Sequence, residues 1–138
     1  MKRDLSQDLQ QIQTHLGNGR FTAGISLCRE VLTYAPSDPN ALYLLGLGAA
    51  QLGDETTTRE AFYAAWQITP ERVDLLINFG NFLRETGEPL KALPLLEKAS
   101  VLSPQLPGVW KALALTQFKL NRFEAALVSA EKLVGLAP

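Results

Sequence analysis

The stretch NFGNFLRETGE, residues 78–88, contains two glycines among apolar residues that are spaced as in a helix. Glycines this close together occur in loops that cradle a ligand, and they also occur where helices pack closely or end. Phe79 and Leu83 are separated by one helical turn, so they share one helix face. The spacing favours a helix with Gly80 at a close-packing position. Gly87 follows the last apolar residue, where a left-handed residue ends a helix at little cost.

On both sides of this stretch, the same residue types recur every 34 residues along the chain. Four prolines are evenly spaced, a glycine or an asparagine stands half a period before each, and a large apolar residue stands two before each. The positions are Pro36, Pro70, Pro104 and Pro138; Gly19, Gly53, Gly87 and Asn121; and Tyr34, Ile68, Leu102 and Leu136. Apolar residues at helical spacing lie before and after each of these glycines and the asparagine, which mark a turn. Each proline disfavours helical geometry in the residue before it. The period therefore predicts two helices in each repeat.

The period also predicts the organisation of the chain. No stretch alternates between apolar and polar residues as a strand would, so the predicted fold class is all-α. The sequence Ser37-Asp38-Pro39 supplies a cap followed by a proline suited to the first helical turn, and Pro107 occupies the equivalent place. We expect one domain spanning 1–138, with repeats at approximately 5–38, 39–72, 73–106 and 107–138.

This pattern resembles the tetratricopeptide repeat (TPR), whose signature is W-x2-L-G-x2-Y, then A-x3-F, then P, in a repeat of about 34 residues. The matching residues are Leu42, Leu45, Gly46, Ala49, Phe62 and Pro70; Leu76, Phe79, Gly80, Leu83, Ala92, Leu96 and Pro104; and Trp110, Leu113, Ala114, Ala126 and Pro138. The first repeat is degenerate, since Gln11 and Ile12 replace the expected Leu-Gly. The resemblance implies a right-handed superhelical solenoid of antiparallel helix pairs that acts as a protein–protein interaction scaffold.

Two departures from the repeat carry structural expectations. Pro94 falls inside the second helix of the third repeat, where a kink or a late helix start is expected because proline deletes a backbone hydrogen bond. The chain stops without the extra polar helix that often closes such arrays. The last helix would leave apolar side chains uncovered among Leu127, Val128, Leu133 and Val134. We therefore expect either truncation from a longer protein or self-association through the C-terminal helix.

Composition narrows the classes of partner. The 13 basic and 14 acidic residues give a formal charge of −1, which argues against neutralising many nucleic-acid phosphates. The longest apolar run, 41–50, is about half of a membrane span, and the N-terminus lacks an apolar signal core. The single cysteine excludes an internal disulfide framework and a zinc site made of cysteines. A cytoplasmic protein with no nucleic-acid or membrane partner is expected.

Enzymatic function is not predicted. His15 and Cys28 are the only histidine and cysteine, and the repeat register does not bring them together as a dyad. The glycines of residues 17–24 follow no predicted strand, so a phosphate-binding loop is not expected. Trp66 and Trp110 fall in the repeat register and are predicted to pack rather than to hold a cofactor. We expect no catalytic residue, no metal and no cofactor.

The resemblance implies that the first helices of the repeats line a concave groove. On these helices, the residues that the repeat does not use for packing form a stripe of amides, cations and apolar side chains. Such a stripe suits an extended peptide, because amides can bond its backbone and apolar residues can hold its side chains. The candidate peptide-binding residues are Tyr43, Leu44, Leu47, Asn78, Asn81, Arg84, Lys111, Leu115 and Phe118. An alternative stays open for Leu44, Leu47 and Phe118, which could pack against a neighbouring repeat or a capping helix instead.

Two other functions stay open at this point. The chain could be the N-terminal repeat region of a larger bacterial enzyme, similar to a sulfotransferase or glycosyltransferase, and recruit substrate to it. It also resembles, more loosely, secretion chaperones built from three such repeats, through the stretch LGLGAAQLG at 45–53. The Lys–Asn clamp by which some similar repeats hold a C-terminal carboxylate is absent. Leu9 and Gln13 stand at its Lys and Asn places, and only Asn78 and Asn81 match its asparagines.

Overall fold

The computed structural model describes residues 4–137, which form eight α-helices and, within that range, no β-strand. The helices are α1 (Leu5–Gly17), α2 (Phe21–Tyr34), α3 (Pro39–Gln51), α4 (Glu55–Ile68), α5 (Val73–Glu85), α6 (Pro89–Leu102), α7 (Pro107–Lys119) and α8 (Phe123–Leu136). Each odd-numbered helix packs against the even-numbered helix that follows it, so the chain forms four helix hairpins. The prediction of an all-α fold is confirmed.

The chain divides into two compact units, 1–70 and 71–138. The first contains α1 to α4, in which α2 also packs against α3. The second contains α5 to α8, in which α7 packs against both α5 and α6. The assignment of 1–138 to one domain stays a prediction.

The turn inside each hairpin depends on one residue with left-handed backbone geometry. The φ angles are 76° at Gly19, 74° at Gly53, 88° at Gly87 and 61° at Asn121. After each of them, the next backbone N–H donates to a carbonyl in the last turn of the helix just ended, as Glu88 does to Leu83 at 2.7 Å. This bond satisfies a carbonyl that the ending helix leaves without a partner. The prediction that Gly53 and Gly87 end their helices is confirmed.

We expect the substitution Gly87→Ala to lower the free energy of unfolding by about 1 kcal/mol, because a Cβ is disfavoured at positive φ. A Cβ at this position meets no atom within 4 Å, so the loss would come from the backbone alone. Urea denaturation followed by circular dichroism measures it. The matched variant Asn121→Gly should be neutral or slightly stabilising. Equal losses in the two variants would contradict this explanation.

Helix starts follow the predicted capping chemistry. The Asp38 carboxylate accepts a hydrogen bond from the backbone N–H of Ala41 at 2.8 Å, and Pro39 opens α3. Pro107 opens α7 in the same way. Both predictions are confirmed.

Of the kink or late helix start expected at Pro94, the late start is wrong, and the kink stays a prediction. Helix α6 begins at Pro89 and continues through Pro94 to Leu102. The proline removes the hydrogen bond to the carbonyl of Leu90, which lies in the first turn of α6. Leu90 is 65% exposed, so water can reach this turn and replace the lost partner.

Glycine lets the two helices of a hairpin approach closely at one level. A Cβ added at Gly46 would overlap the ring of Phe62, which is 1% exposed. A Cβ added at Gly80 would lie 2.7 Å from Cδ2 and Cγ of Leu96, which is fully buried. The close-packing role predicted for Gly80 is confirmed, and Gly46 has the same role one repeat earlier.

Candidate protein-binding surface

A polar stripe, defined here as Asn78, Asn81 and Arg84, runs along α5. Each is three positions from the next, which places them on one face of the helix. All three are half-buried, and the Arg84 side chain is only 13% exposed. The guanidinium donates to Oδ1 of Asn81 at 2.6 Å, and its other nitrogen lies 3.4 Å from the exposed Glu85 carboxylate. The Asn81 bond holds the guanidinium in one orientation at the helix surface.

Helix α7, which packs against α5, contributes the exposed Lys111. It carries a second lysine, Lys119, and no acidic residue along 107–119. Ala112 is 3% exposed and is part of the packing. Helix α5 therefore offers amide groups and a cation, and α7 offers two further cations; such groups suit carbonyl and carboxylate acceptors.

The three candidates on α3 are placed differently from the polar stripe. Tyr43 and Leu44 are 7% and 6% exposed, and Tyr43 stacks on Phe62 with ring centroids 6.1 Å apart. Leu44 belongs to the buried cluster of the first compact unit, and the half-buried Leu47 packs against that cluster. Helix α3 contacts both α2 and α4, so most of its surface is used for packing. Burial therefore argues against direct ligand contact by Tyr43 and Leu44, and it supports the packing alternative for Leu44 and Leu47.

Leu115 and Phe118 line an apolar groove on α7 and α8 that sequence reasoning did not describe. They are 45% and 64% exposed, and the Phe118 ring meets the edge of Phe123 with centroids 5.3 Å apart. The groove has a volume of about 390 Å³. We call it the C-terminal groove; its lining residues are Ala114, Leu115, Phe118, Phe123, Ala126, Leu127 and Ala130. The predicted set of peptide-binding residues therefore separates into a polar part and an apolar part.

The apolar residues predicted to lack cover on the last helix are mostly exposed. Leu127, Val128 and Val134 are 60%, 54% and 73% exposed, whereas Leu133 is half-buried. Phe123, 56% exposed, also belongs to this surface and was missed. It stands at the register position that Pro89 holds in the third repeat.

Cys28 has no features of a nucleophile. It is completely buried, and burial raises the pKa of its thiol to about 12, although the nearby Arg29 charge acts in the opposite direction. The thiol is therefore protonated at neutral pH and unreactive. His15 accepts a hydrogen bond at Nδ1 from Nε of Arg20 at 3.1 Å. Within residues 4–137, no group of three or more His, Cys, Asp or Glu side chains could hold a metal ion.

Both tryptophans make contacts of a structural kind, as predicted. The Trp110 indole N–H donates to the carbonyl of Pro104 at 2.6 Å, which ties α7 to the preceding loop. The ammonium of Lys132 lies 5.9 Å from the centre of the same ring. Trp66 packs at a tilt against Tyr63 on α4, with centroids 5.9 Å apart. In the part of the chain that the structure describes, no helix is long and apolar enough to cross a membrane.

Comparisons with known proteins support a fold built from repeated helix hairpins. The family described as Tetratricopeptide repeat matches residues 9–73. The TPR repeat-containing protein YpiA of Bacillus subtilis (strain 168) is 34% identical over 74 residues, which is 54% of this chain and 18% of YpiA. The chain thus corresponds to less than a fifth of that relative.

Solved structures share the fold. A crystal structure of MamA matches 96% of this chain with a TM-score of 0.88 and 16% identity, covering 78% of that chain. MamA from Desulfovibrio magneticus RS-1 matches 96% with a TM-score of 0.87 and 22% identity, covering 75% of that chain. The chain is thus an all-α protein of repeated helix hairpins. Over residues 9–73, just under half of its length, it is similar to the tetratricopeptide repeat family.

Proposed function

We propose that this chain is a non-enzymatic scaffold that binds a protein or peptide through the first helices of its repeats. One observation carries the proposal: Arg84 is held by Asn81 in a half-buried position on α5, the helix that also carries the half-buried Asn78. A cation fixed in this way needs little further ordering when a ligand binds, which favours affinity. The TPR fold and the TPR-containing relative support the same class of function.

The proposed ligand is an extended segment that carries a carboxylate. Asparagine side chains can bond both the N–H and the C=O groups of an extended backbone. Arg84 and Lys111 would pair with a carboxylate, and a guanidinium can do so through two bonds. The overall charge of −1 favours protein over nucleic acid as the ligand. We place the interaction in the cytoplasm, where a single reduced cysteine such as Cys28 is ordinary.

Peptide selection from a displayed random library, followed by titration of the strongest peptide, tests the proposal. Arg84→Ala should raise its Kd about tenfold or more, because a lost charged hydrogen bond is worth about 1.5–3 kcal/mol. Asn81→Ala should weaken binding less, since it removes one amide and loosens Arg84. Helix content and thermal midpoint should stay close to those of the wild-type chain.

Lys98→Ala is the matched control, because it removes a cation from α6, the second helix of the same hairpin. Its side chain is 43% exposed, and its ammonium lies 3.9 Å from the Glu71 carboxylate. Binding should be unchanged in this variant. If Arg84→Ala and Asn81→Ala both bind the selected peptides as the wild-type chain does, the proposed surface is wrong.

A further inference from the structure

The turn between α1 and α2 contains a pair of residues found once in the sequence, an asparagine followed by a glycine. The pair is Asn18 and Gly19, whereas the other asparagines of the chain precede alanine, phenylalanine or arginine. Both residues of the pair are exposed, and a Cβ built at Gly19 would meet no atom within 4 Å. The peptide bond that joins them is therefore open to solvent on this side.

An asparagine before a glycine is prone to deamidation. The backbone nitrogen of the glycine attacks Cγ of the asparagine and loses its proton, the side-chain nitrogen leaves as ammonia, and a cyclic succinimide forms. Water then adds to either carbonyl of this ring, which opens to aspartate or to isoaspartate. A side chain on the following residue hinders the attack, and glycine has none. Water is the only co-reactant, so an exposed turn supplies what the reaction needs.

The folded turn holds this reaction back. The Gly19 N–H donates to the carbonyl of Leu16 at 3.1 Å, which keeps the nitrogen turned towards α1. The ψ angle of Asn18 is 9°, whereas ring closure requires the Gly19 nitrogen to lie on the same side of the Cα–C bond as Cβ. Reaching that geometry takes a large rotation of ψ and the loss of the bond to Leu16. Ring closure therefore needs the turn to open first.

Helix α1 is lightly anchored at the end that leads into this turn. Its buried residues are Asp8 and Ile12, and neither lies in its last turn. Helix α5, which leads into the equivalent turn of the third repeat, has six buried residues, two of them in its last turn. The bond from Nε of Arg20 to His15 is exposed, so water can replace it. Because segments with little buried surface open at low free-energy cost, the turn after α1 should open more often than the turn after α5.

We propose that Asn18 is a deamidation site controlled by opening of the α1–α2 turn, and that conversion to isoaspartate loosens this hairpin. Isoaspartate lengthens the backbone by one atom, because the chain then runs through Cβ and Cγ of residue 18. The added atom displaces the Arg20 N–H from the carbonyl of His15, which it reaches at 2.8 Å. The product also places a carboxylate at the C-terminal end of α1, where the helix dipole disfavours negative charge. The exposed Arg20 side chain offsets little of this effect, since surface ion pairs are weak.

Incubation of the full chain in mildly alkaline buffer, followed by digestion and mass spectrometry, tests the site. The peptide that contains Asn18 should gain the mass of an amide-to-acid conversion before any other asparagine does, and an isoaspartyl methyltransferase should label the product. In urea that unfolds the chain, the conversion should be at least several-fold faster, because the turn no longer restrains ψ. Conversion of Asn18 no faster than that of the other asparagines, in either condition, overturns the assignment.

Thr86→Asn is the matched variant, because it creates the same dipeptide before Gly87 at the end of α5. The backbone angles are nearly the same, with φ −97° and ψ 15° at Thr86 and φ −96° and ψ 9° at Asn18. Relative to its own rate in urea, residue 86 of the folded variant should convert at least several-fold more slowly than Asn18. Equal relative rates would show that opening of the turn after α1 does not control the reaction.

The effect on the hairpin is measured on the isoaspartyl chain after chromatographic separation. It should unfold at a lower urea concentration than the fresh wild-type chain, with circular dichroism as the readout. Freshly prepared Asn18→Asp is the control, since it adds the carboxylate without the extra backbone atom, and its loss should be smaller. If the isoaspartyl chain unfolds at the same urea concentration as Asn18→Asp, the lengthened backbone does not loosen the hairpin.

Discussion

A Phe62→Ala variant is expected to lose about 3–5 kcal/mol of unfolding free energy, the usual cost of truncating a buried phenylalanine. Phe62 is 1% exposed, stacks with Tyr43 and fills the space above Gly46. Since whole domains are stabilised by about 5–15 kcal/mol, this loss would leave the first compact unit close to unfolding. Urea denaturation followed by circular dichroism measures it, with a separate transition fitted for each compact unit where two are resolved.

Tyr63→Ala provides the control for this variant. Tyr63 is the next residue on α4 and is also aromatic, but it is 54% exposed. Its loss should stay below about 1 kcal/mol, because it removes little buried surface and one ring contact with Trp66. Equal losses in the two variants would mean that the Phe62 ring does not hold the α3–α4 hairpin together.

A Gly46→Val variant is expected to lose about 2–3 kcal/mol, near the upper end of the cost of overpacking a core. The new side chain would overlap the Phe62 ring, which is 1% exposed and so packed against its neighbours. Gly17→Val is the control, because a Cβ at Gly17 meets no atom within 4 Å. That change should stay within about 0.5 kcal/mol, as surface substitutions usually do.

The two core variants are coupled, and the coupling can be measured. In the double variant Gly46→Val/Phe62→Ala, the valine would occupy part of the space that the ring leaves. Its loss should therefore be smaller than the sum of the single losses by at least about 1 kcal/mol. Strict additivity would contradict the close approach of α3 and α4 at this level.

The helices were predictable because the residues that end them are local and recur. Proline and glycine fix helix ends through their own backbone geometry, so their constant spacing is readable without any tertiary information. Asn121 shows that a search for the same residue in every repeat would miss one helix end. It differs from the glycines at the same position, yet it adopts the same left-handed geometry because asparagine tolerates it.

The candidate surface was harder to predict, since a helix inside a repeat protein has packing neighbours on several sides. Spacing groups Tyr43 and Leu44 with exposed positions, but α3 lies between α2 and α4 and buries both. Spacing alone also groups Leu115 and Phe118 with the peptide-binding candidates of α5. In the structure they line a separate groove together with residues of α8. Which flank of a helix is covered depends on contacts between distant residues, and single-helix periodicity does not contain them.

The close pairs Gly46–Phe62 and Gly80–Leu96 stand at the same two register positions, which recur in every hairpin. The pairs are Ile12 with Cys28, Gly46 with Phe62, Gly80 with Leu96, and Ala114 with Ala130. In the first three pairs one partner is large and the other small, so the larger side chain can come from either helix. The last pair is two alanines, and both line the C-terminal groove. The groove is thus also a hairpin interior that the two alanines leave incompletely filled.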